Sequence, residues 1–237
     1  MTLDKQVIDD KLLIFCSHTK DGNISYKYGS KEEASANRGA FYQRIGIDRK
    51  DVFSLKMPNQ DIIVYVDKRP CTEHIEADAV ISSLPQFFVA TAFADCIPLV
   101  FYDKKKQLFG FAHLGWRSIA LHLQSKLVDA MVEMGCCLTD LEIYLGPSIH
   151  KESYGLQEVS QRENPLWKPY ITFKDGLYYL DLQGYVIDSL KEKGIVEEQL
   201  HVAPEDTGVD TQYFSHYRSV HTGEIEGRFV YGTGFIK

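Results

Sequence analysis

Two apolar stretches joined by a short lysine-rich segment constrain the fold more than any other part of the chain. The first reads "IPLVFY" at residues 97–102, and the second reads "LFGFAH" at residues 108–113. Continuous apolar runs of this length, bounded by turn-forming residues and rich in aromatic residues, are typical of buried strands. Because only a few polar residues separate them, the pattern predicts an antiparallel β-hairpin inside a larger sheet.

The length of the turn predicts which residues of this hairpin face each other. A turn centred on Lys104 and Lys105 puts Cys96 directly opposite His113. Directly opposed residues have Cα atoms about 4.5–5.5 Å apart and side chains on the same face. The spacing therefore predicts that a thiol and an imidazole meet. A bulge, or a slip of one residue, would send the two side chains to opposite faces.

A cysteine in contact with a histidine has two chemical uses. The imidazole can deprotonate the thiol to give a nucleophile, or both side chains can bind a metal ion, usually zinc, with further ligands. The structural alternative is a buried thiol beside a hydrogen-bonded imidazole. Asp95 precedes Cys96, and a carboxylate at the start of an apolar strand is costly to bury without a partner. Asp95 therefore favours a functional site.

Arg117 follows His113 at the predicted turn from strand to helix. An arginine directly before a helix N-terminus favours the binding of an anion. The strand end, the helix start and these side chains together predict a pocket for a polar or phosphorylated small molecule.

The rest of the chain mixes strands and helices without regular β-α-β alternation. A helix is predicted over residues 30–47, where Ser30 is the N-cap and Glu33 completes a capping box. A second helix is predicted over 118–135, ending at Gly135, and a third after the strand that ends in "LYYL". Several strands pair as hairpins. We therefore expect the α/β class, of α+β type, as one domain over residues 1–237 with mixed sheets and helices packed outside.

Composition narrows the classes of function. The chain has 237 residues, 44% of them hydrophobic, and this is enough to form a core without disulfides. A formal net charge of −7 argues against binding to nucleic acid. No apolar run approaches the roughly 18 residues of a membrane helix, and acidic residues near the start argue against a signal peptide. The odd number of cysteines predicts reduced thiols in a cytoplasmic protein.

Three quoted stretches resemble the successive signatures of the laccase-domain family: "ADCIPLVFYD", "AHLGWRS" and "LGPSIHKESYGL". The segments "HTKDGNIS", "EADAV" and "YFSHYRSVHTGEIEGR" resemble further elements of the family, in the same order. This family is also called multicopper polyphenol oxidase, and it includes purine nucleoside phosphorylases and peptidoglycan-editing factors.

The resemblance implies a domain of mixed sheets flanked by helices, distantly similar to cysteine deamidase toxins. It implies a zinc ion, or copper in the older assignment, held by two histidines and one cysteine, and Cys96 and His113 match two of these ligands. The implied reactions are phosphorolysis of adenosine, inosine, guanosine or methylthioadenosine, and deamination of adenosine. In such a site Arg117, Lys20 or Arg218 would bind phosphate, and Asp95 would orient His113 or transfer a proton.

The sequence departs from the family at the third metal ligand. The family has a histidine in a Gln-x-His-Gly stretch, where this chain has "KMPN" with Pro58 at the histidine position. Proline cannot bind a metal, and a site with two protein ligands should be much weaker than one with three. His18 and His216 lie in segments that match the family, so they are better candidate replacements than His74. Lys20 also stands where the family has arginine.

Three hypotheses remain open on the sequence alone. The first is a metal-dependent purine nucleoside enzyme. The second is a metal-free hydrolase or deamidase in which Cys96 is the nucleophile, His113 the base and Asp95 the orienting group. The third is a protein that keeps the fold but only binds a nucleoside or a protein partner.

Overall fold

A computed structural model describes residues 4–236, in which two six-stranded sheets stack face to face. The strands, in chain order, are β1 (Lys5–Ile8), β2 (Leu12–Cys16), β3 (Val52–Leu55), β4 (Ile63–Val66), β5 (His74–Ile75), β6 (Ala79–Ser82), β7 (Phe87–Phe93), β8 (Ile97–Asp103), β9 (Leu108–Leu114), β10 (Leu141–Leu145), β11 (Gly155–Leu156), β12 (Ile171–Lys174), β13 (Leu177–Leu180), β14 (Leu200–Val202) and β15 (Phe229–Phe235). The helices are α1 (Lys31–Ile45), α2 (Trp116–Ala120), α3 (Leu123–Glu133), α4 (Leu182–Glu192) and α5 (His216–Thr222).

Each large sheet combines parallel and antiparallel pairs. The first sheet has the order β1-β2-β15-β7-β3-β5, the second has the order β14-β10-β8-β9-β6-β4, and a small third sheet has the order β11-β13-β12. The hairpin of β8 and β9 occupies the middle of the second sheet. This agrees with its two fully apolar runs, because a central strand is covered on both faces.

Three apolar clusters hold four layers together. Aromatic side chains from both large sheets fill the space between them. Helix α1 covers the outer face of the first sheet, while α2, α3 and α4 cover the outer face of the second. The mixed α/β fold predicted from the sequence is therefore confirmed, and four of the five described helices, α1 to α4, lie on the outer faces of the sheets as expected.

The last strand needs glycine because it approaches its neighbour closely. A Cβ atom on Gly234 would lie 2.1 Å from the carbonyl oxygen of Phe87, and one on Gly232 would lie 2.6 Å from that of Val89. No side chain fits at such distances. The glycines of "FVYGTGF" therefore allow β15 to pair with β7 in the interior of the first sheet.

The helix predicted over residues 30–47 forms as α1, but the helix predicted over residues 118–135 is divided into two. The Ser30 hydroxyl accepts a hydrogen bond from the Glu33 amide and caps α1. The predicted helix over 118–135 is wrong in its bounds, because the chain forms α2 and α3 with a break at His122, whose φ is 60°. A left-handed residue cannot continue an α-helix. Within residues 4–236, no helix has the length and apolarity that crossing a bilayer requires.

Candidate active site

The hairpin register differs from the predicted one by two residues. His113 pairs with Pro98, and Asp103 pairs with Leu108. Residues 104–107 therefore form a four-residue turn, in which the Lys106 amide donates to the Asp103 carboxylate at 2.9 Å. The prediction that Cys96 lies directly opposite His113 is thus wrong. Since side chains alternate with a period of two, a two-residue difference leaves the face of the sheet unchanged.

Cys96 and His113 nevertheless converge on one glycine. A Cβ atom on Gly115 would lie 3.4 Å from Cys96 Sγ and 3.7 Å from His113 Cε1. The absence of a side chain at Gly115 leaves room in front of both groups. The sequence prediction that the thiol and the imidazole share one site is consistent with this arrangement.

Both side chains line a cavity of about 470 Å³ at the end of the hairpin. Its wall has an aromatic part, made by Trp116, Tyr154 and Tyr217, and a polar part, made by Asn59, Arg117, His216 and His221. The volume lies within the range of about 300–1,000 Å³ that is typical of small-molecule sites. Four distant segments of the chain therefore build one pocket.

Burial keeps the thiol and the imidazole uncharged. Burial, reinforced by the neighbouring Asp95 charge, raises the pKa of Cys96 to about 12. Burial also lowers the pKa of His113 to about 4, and the positive charge of Arg228 acts in the same direction. At neutral pH the pair is a thiol beside a neutral imidazole. This state does not provide the thiolate that a cysteine nucleophile requires.

The carboxylate of Asp95 holds the C-terminal segment in place. It accepts hydrogen bonds from the Thr207 hydroxyl at 2.8 Å and from the Tyr217 amide at 2.7 Å. Within residues 4–236, His113 is not among its hydrogen-bond partners. Asp95 thus positions the segment that carries Tyr217, which is a different role from the predicted one of orienting His113.

Arg117 is the predicted phosphate-binding residue that lies at the cavity. Its side chain is exposed and stacks over the Trp116 ring, with the guanidinium carbon 4.4 Å from the ring centroid. In the described part of the chain, no carboxylate forms an ion pair with Arg117. Its guanidinium is therefore free to bind an anionic ligand in the cavity.

The other two predicted phosphate-binding residues are not brought to the cavity. Lys20 lies 3.3 Å from Asp4 near the first sheet. The Arg218 guanidinium donates to the carbonyl oxygens of Thr207 and Tyr213 at 2.6 and 2.7 Å, and pairs with Glu224 at 2.5 Å. These bonds fold the loop before α5 around Arg218.

The candidates for the third metal ligand lie in different places. His216 lines the cavity, although its Nδ1 is 2.7 Å from Glu226. His18 is buried in a separate cluster with Asp4, and His74 is exposed on β5 at the edge of the first sheet. Neither of these two residues lines the cavity.

The segment with Pro58 does border the cavity, through the next residue. Asn59 lines the wall, while Pro58 is exposed. The buried carboxylate of Asp78 accepts hydrogen bonds from the amides of Asn59, Gln60 and Ile62 and so fixes this loop. Pro58, which replaces the family's histidine, therefore lies at the edge of the site.

Sequence reasoning missed the aromatic part of the wall, made by Trp116, Tyr154 and Tyr217, and two polar residues, Asn59 and His221. Tyr217 and His221 stack with ring centroids 4.0 Å apart, and His221 Nδ1 donates to the Tyr217 carbonyl oxygen at 2.7 Å. Their spacing of four residues places them on one helical face. That spacing was a signal in the sequence, but it did not show which face meets the hairpin.

A family profile described as "Multi-copper polyphenol oxidoreductase laccase" matches residues 17–232. The matched range includes every segment that lines the cavity. This chain belongs to that family. The resemblance stated from the sequence motifs is thereby confirmed.

Relatives and solved structures agree with this membership. A protein of Synechocystis sp. named "Purine nucleoside phosphorylase" is 30% identical over 180 residues, covering 66% of this chain and 68% of that protein. One of Clostridium acetobutylicum with the same name is 26% identical, covering 79% and 78%. The hypothetical protein YfiH of Bacillus licheniformis has a TM-score of 0.82 at 25% identity, covering 94% of this chain and 92% of that one. YlmD from Geobacillus stearothermophilus shares the fold with a TM-score of 0.81 at 18% identity, covering 99% of each chain.

The cavity of this laccase-family member does not offer a complete three-ligand metal site. Within residues 4–236, one group of three histidine, cysteine or acidic side chains has ligand atoms within 4.8 Å of one another, and it consists of Asp4, His18 and Asp21. That group is away from the cavity, and Arg44 already pairs with both of its carboxylates. Cys96 and His113 are suitable zinc or copper donors, but among residues 4–236 no third histidine, cysteine or acidic side chain joins them in a group this close.

Proposed function

We propose that this laccase-family member acts on purine nucleosides in the cavity of Cys96, His113 and Arg117. The observation that carries the proposal is that one pocket combines stacking surfaces with an arginine that has no carboxylate partner among the described residues. Relatives named purine nucleoside phosphorylase, at 24–30% identity, support the same class of substrate.

In the proposed phosphorolysis the aromatic wall holds the purine base, and Arg117 holds the phosphate. A phosphate oxygen forms a bond to the ribose C1′ while the bond from C1′ to the base nitrogen breaks, and the leaving base takes up the proton that hydrogen phosphate gives up. Trp116, Tyr154 and Tyr217 supply apolar area against which a flat base can pack. Holding both reactants in one pocket lowers the entropic cost of their encounter. Because the metal site is incomplete, we assign no step to a metal ion.

The test is to incubate the purified protein with inosine and phosphate and to separate the products by chromatography. We expect release of hypoxanthine together with ribose 1-phosphate, and no release when phosphate is omitted. With adenosine, adenine indicates phosphorolysis and inosine indicates deamination. If the protein binds inosine but converts none of the nucleosides, it is a binding protein and the proposal is wrong.

Arg117→Gln gives the residue-level test. We expect the KM for phosphate to rise at least tenfold, and the KM for inosine to change much less, because the arginine contacts only the anion. Arg69→Gln is the matched control, since Arg69 is an exposed arginine outside the cavity. Equal effects of the two substitutions would contradict the role of Arg117.

A further inference from the structure

A second cavity of about 400 Å³ opens between the two large sheets. Residues of β1, β2 and β15 line it from the first sheet, and residues of β10, β14 and the segments that follow these two strands line it from the second. It shares no lining residue with the cavity of Cys96 and His113. The proposed nucleoside chemistry makes no use of it.

The charge in this cavity is negative. Glu205 lines the wall, and no lysine or arginine does. In the portion of the chain that the structure covers, residues 4–236, no side chain forms an ion pair with Glu205. The other charge-bearing group, His201, is already engaged, since its Nε2 lies 2.6 Å from Glu142 and its ring stacks on Tyr144. The Glu205 carboxylate therefore lacks a protein cation.

Three tyrosines add hydrogen-bonding oxygens to the same wall. Tyr144, Tyr213 and Tyr231 are each buried to at least nine-tenths and line the cavity. Within the described residues none of their hydroxyls has a hydrogen-bond partner. Burial raises the pKa of Tyr213 and of Tyr231, and the nearby Cys16 and Glu205 raise both further. The hydroxyls thus stay neutral and can both accept and donate a hydrogen bond.

Four positions in the wall, in two consecutive pairs, offer no free amide to a ligand. The Gly146 amide donates to Pro98 and the Ala203 amide donates to Leu145, each at 2.9 Å. The residues that follow them, Pro147 and Pro204, have no amide hydrogen. A ligand in this cavity therefore meets one carboxylate, three hydroxyls and no lysine or arginine.

We propose that this cavity binds a small organic cation, with the ammonium group at Glu205 and its remaining N–H groups directed at the tyrosine hydroxyls. An ammonium has three donors and no acceptor, which complements the wall. An anion would meet the carboxylate without a cation to offset it. A divalent metal ion normally requires several ionised oxygen ligands, and this wall supplies one carboxylate.

The test uses n-butylammonium as the probe and n-butanol as its neutral counterpart of similar shape. Binding to the full chain is measured by broadening of the probe's methyl signal in proton NMR at physiological salt. We expect n-butylammonium to bind at least tenfold more tightly than n-butanol. The highest probe concentration is about 50 mM, which is enough to detect a weak Kd in the millimolar range. Equal affinities, or no binding of n-butylammonium at that concentration, would overturn the proposal.

Two substitutions locate the bound cation. We expect Glu205→Gln to weaken n-butylammonium binding at least tenfold, and Tyr213→Phe, which removes one oxygen without changing the ring, to weaken it about threefold. Glu198→Gln is the matched control, because Glu198 is exposed and lies outside the cavity. If Glu205→Gln does not fold, Tyr213→Phe and the comparison with n-butanol still decide. Unchanged binding in both substituted proteins would show that the cation binds elsewhere.

Discussion

At the scale of single residues, Cys96 and His113 show how surroundings decide chemistry. A cysteine beside a histidine is a nucleophile only if the thiol loses its proton. Here burial raises the pKa of Cys96 and lowers the pKa of His113. The pair is therefore poorly suited to the metal-free hydrolase hypothesis. A neutral imidazole and a thiol that loses its proton on binding remain compatible with a metal ligand pair.

This protonation state predicts slow alkylation of Cys96. With a pKa of about 12, the thiolate fraction at pH 7.5 is below about 10⁻⁴. After treatment with a chelator, we expect iodoacetamide to modify the exposed Cys71 and Cys137 at least tenfold faster than Cys96. Mass spectrometry of peptides over time measures the three rates. Preferential labelling of Cys96 would contradict this prediction and favour the hydrolase hypothesis.

At the scale of elements, α5 depends on a carboxylate from the distant connection between β7 and β8. The Tyr217 amide lies in the first turn of α5, where the helix itself provides no acceptor. Asp95 supplies that acceptor and at the same time bonds Thr207, in the segment before the helix. Because α5 carries Tyr217 and His221, the carboxylate of Asp95 sets the position of one wall of the cavity.

Asp95→Asn should weaken this attachment. An asparagine keeps one acceptor oxygen, but its NH₂ group replaces the other. Either the Thr207 hydroxyl or the Tyr217 amide then loses its acceptor and faces another donor. We expect the free energy of unfolding to fall by about 2–3 kcal/mol, measured by urea denaturation at pH 7.5. The left-handed φ of 82° at Asp95 suits asparagine, so the backbone should be retained.

Asp175→Asn is the control for Asp95→Asn. Asp175 also has a left-handed φ, of 52°, and its side chain is 80% exposed. We expect a change below about 0.5 kcal/mol. If the two substitutions have the same effect, the bonds of Asp95 do not hold α5.

At the scale of the whole molecule, the cavity exists because four segments meet at one end of the sheets. The loop with Pro58 connects β3 of the first sheet to β4 at the edge of the second sheet. The hairpin comes from the centre of the second sheet, and Tyr154 and α5 come from the second half of the chain. The residue of this loop that faces the cavity therefore decides whether the loop supplies a third metal ligand. In this structure that residue is Asn59, and not Pro58.

This placement predicts where a third ligand can be restored. We expect Asn59→His to raise the affinity for zinc at least tenfold, because three protein donors would then face one cavity. Pro58→His, at the position that matches the family's histidine, is the paired control and should have a smaller effect. Competition with a chromophoric chelator measures both affinities, and a larger gain for Pro58→His would show that the loop rearranges around the metal.

The sequence by itself determined the elements and the face on which the thiol and imidazole lie. Apolar runs and the Ser30 cap are local signals, and alternation along a strand is a property of the backbone, so the face survived an error of two residues in the register. The motifs also determined family membership. The exact register depended on the four-residue turn at 104–107, and the break at His122 had no strong local signal.

Only the tertiary structure decided which residues share the site. Arg117 and Arg218 both lie near helix starts in motif-like segments, yet one is free at the cavity and the other is bonded to the carbonyl oxygens of its own loop. Asp95 likewise meets Thr207 and Tyr217, which are far from it in the chain. Such pairings depend on long-range contacts between segments, and a pattern within a short stretch of sequence does not contain that information.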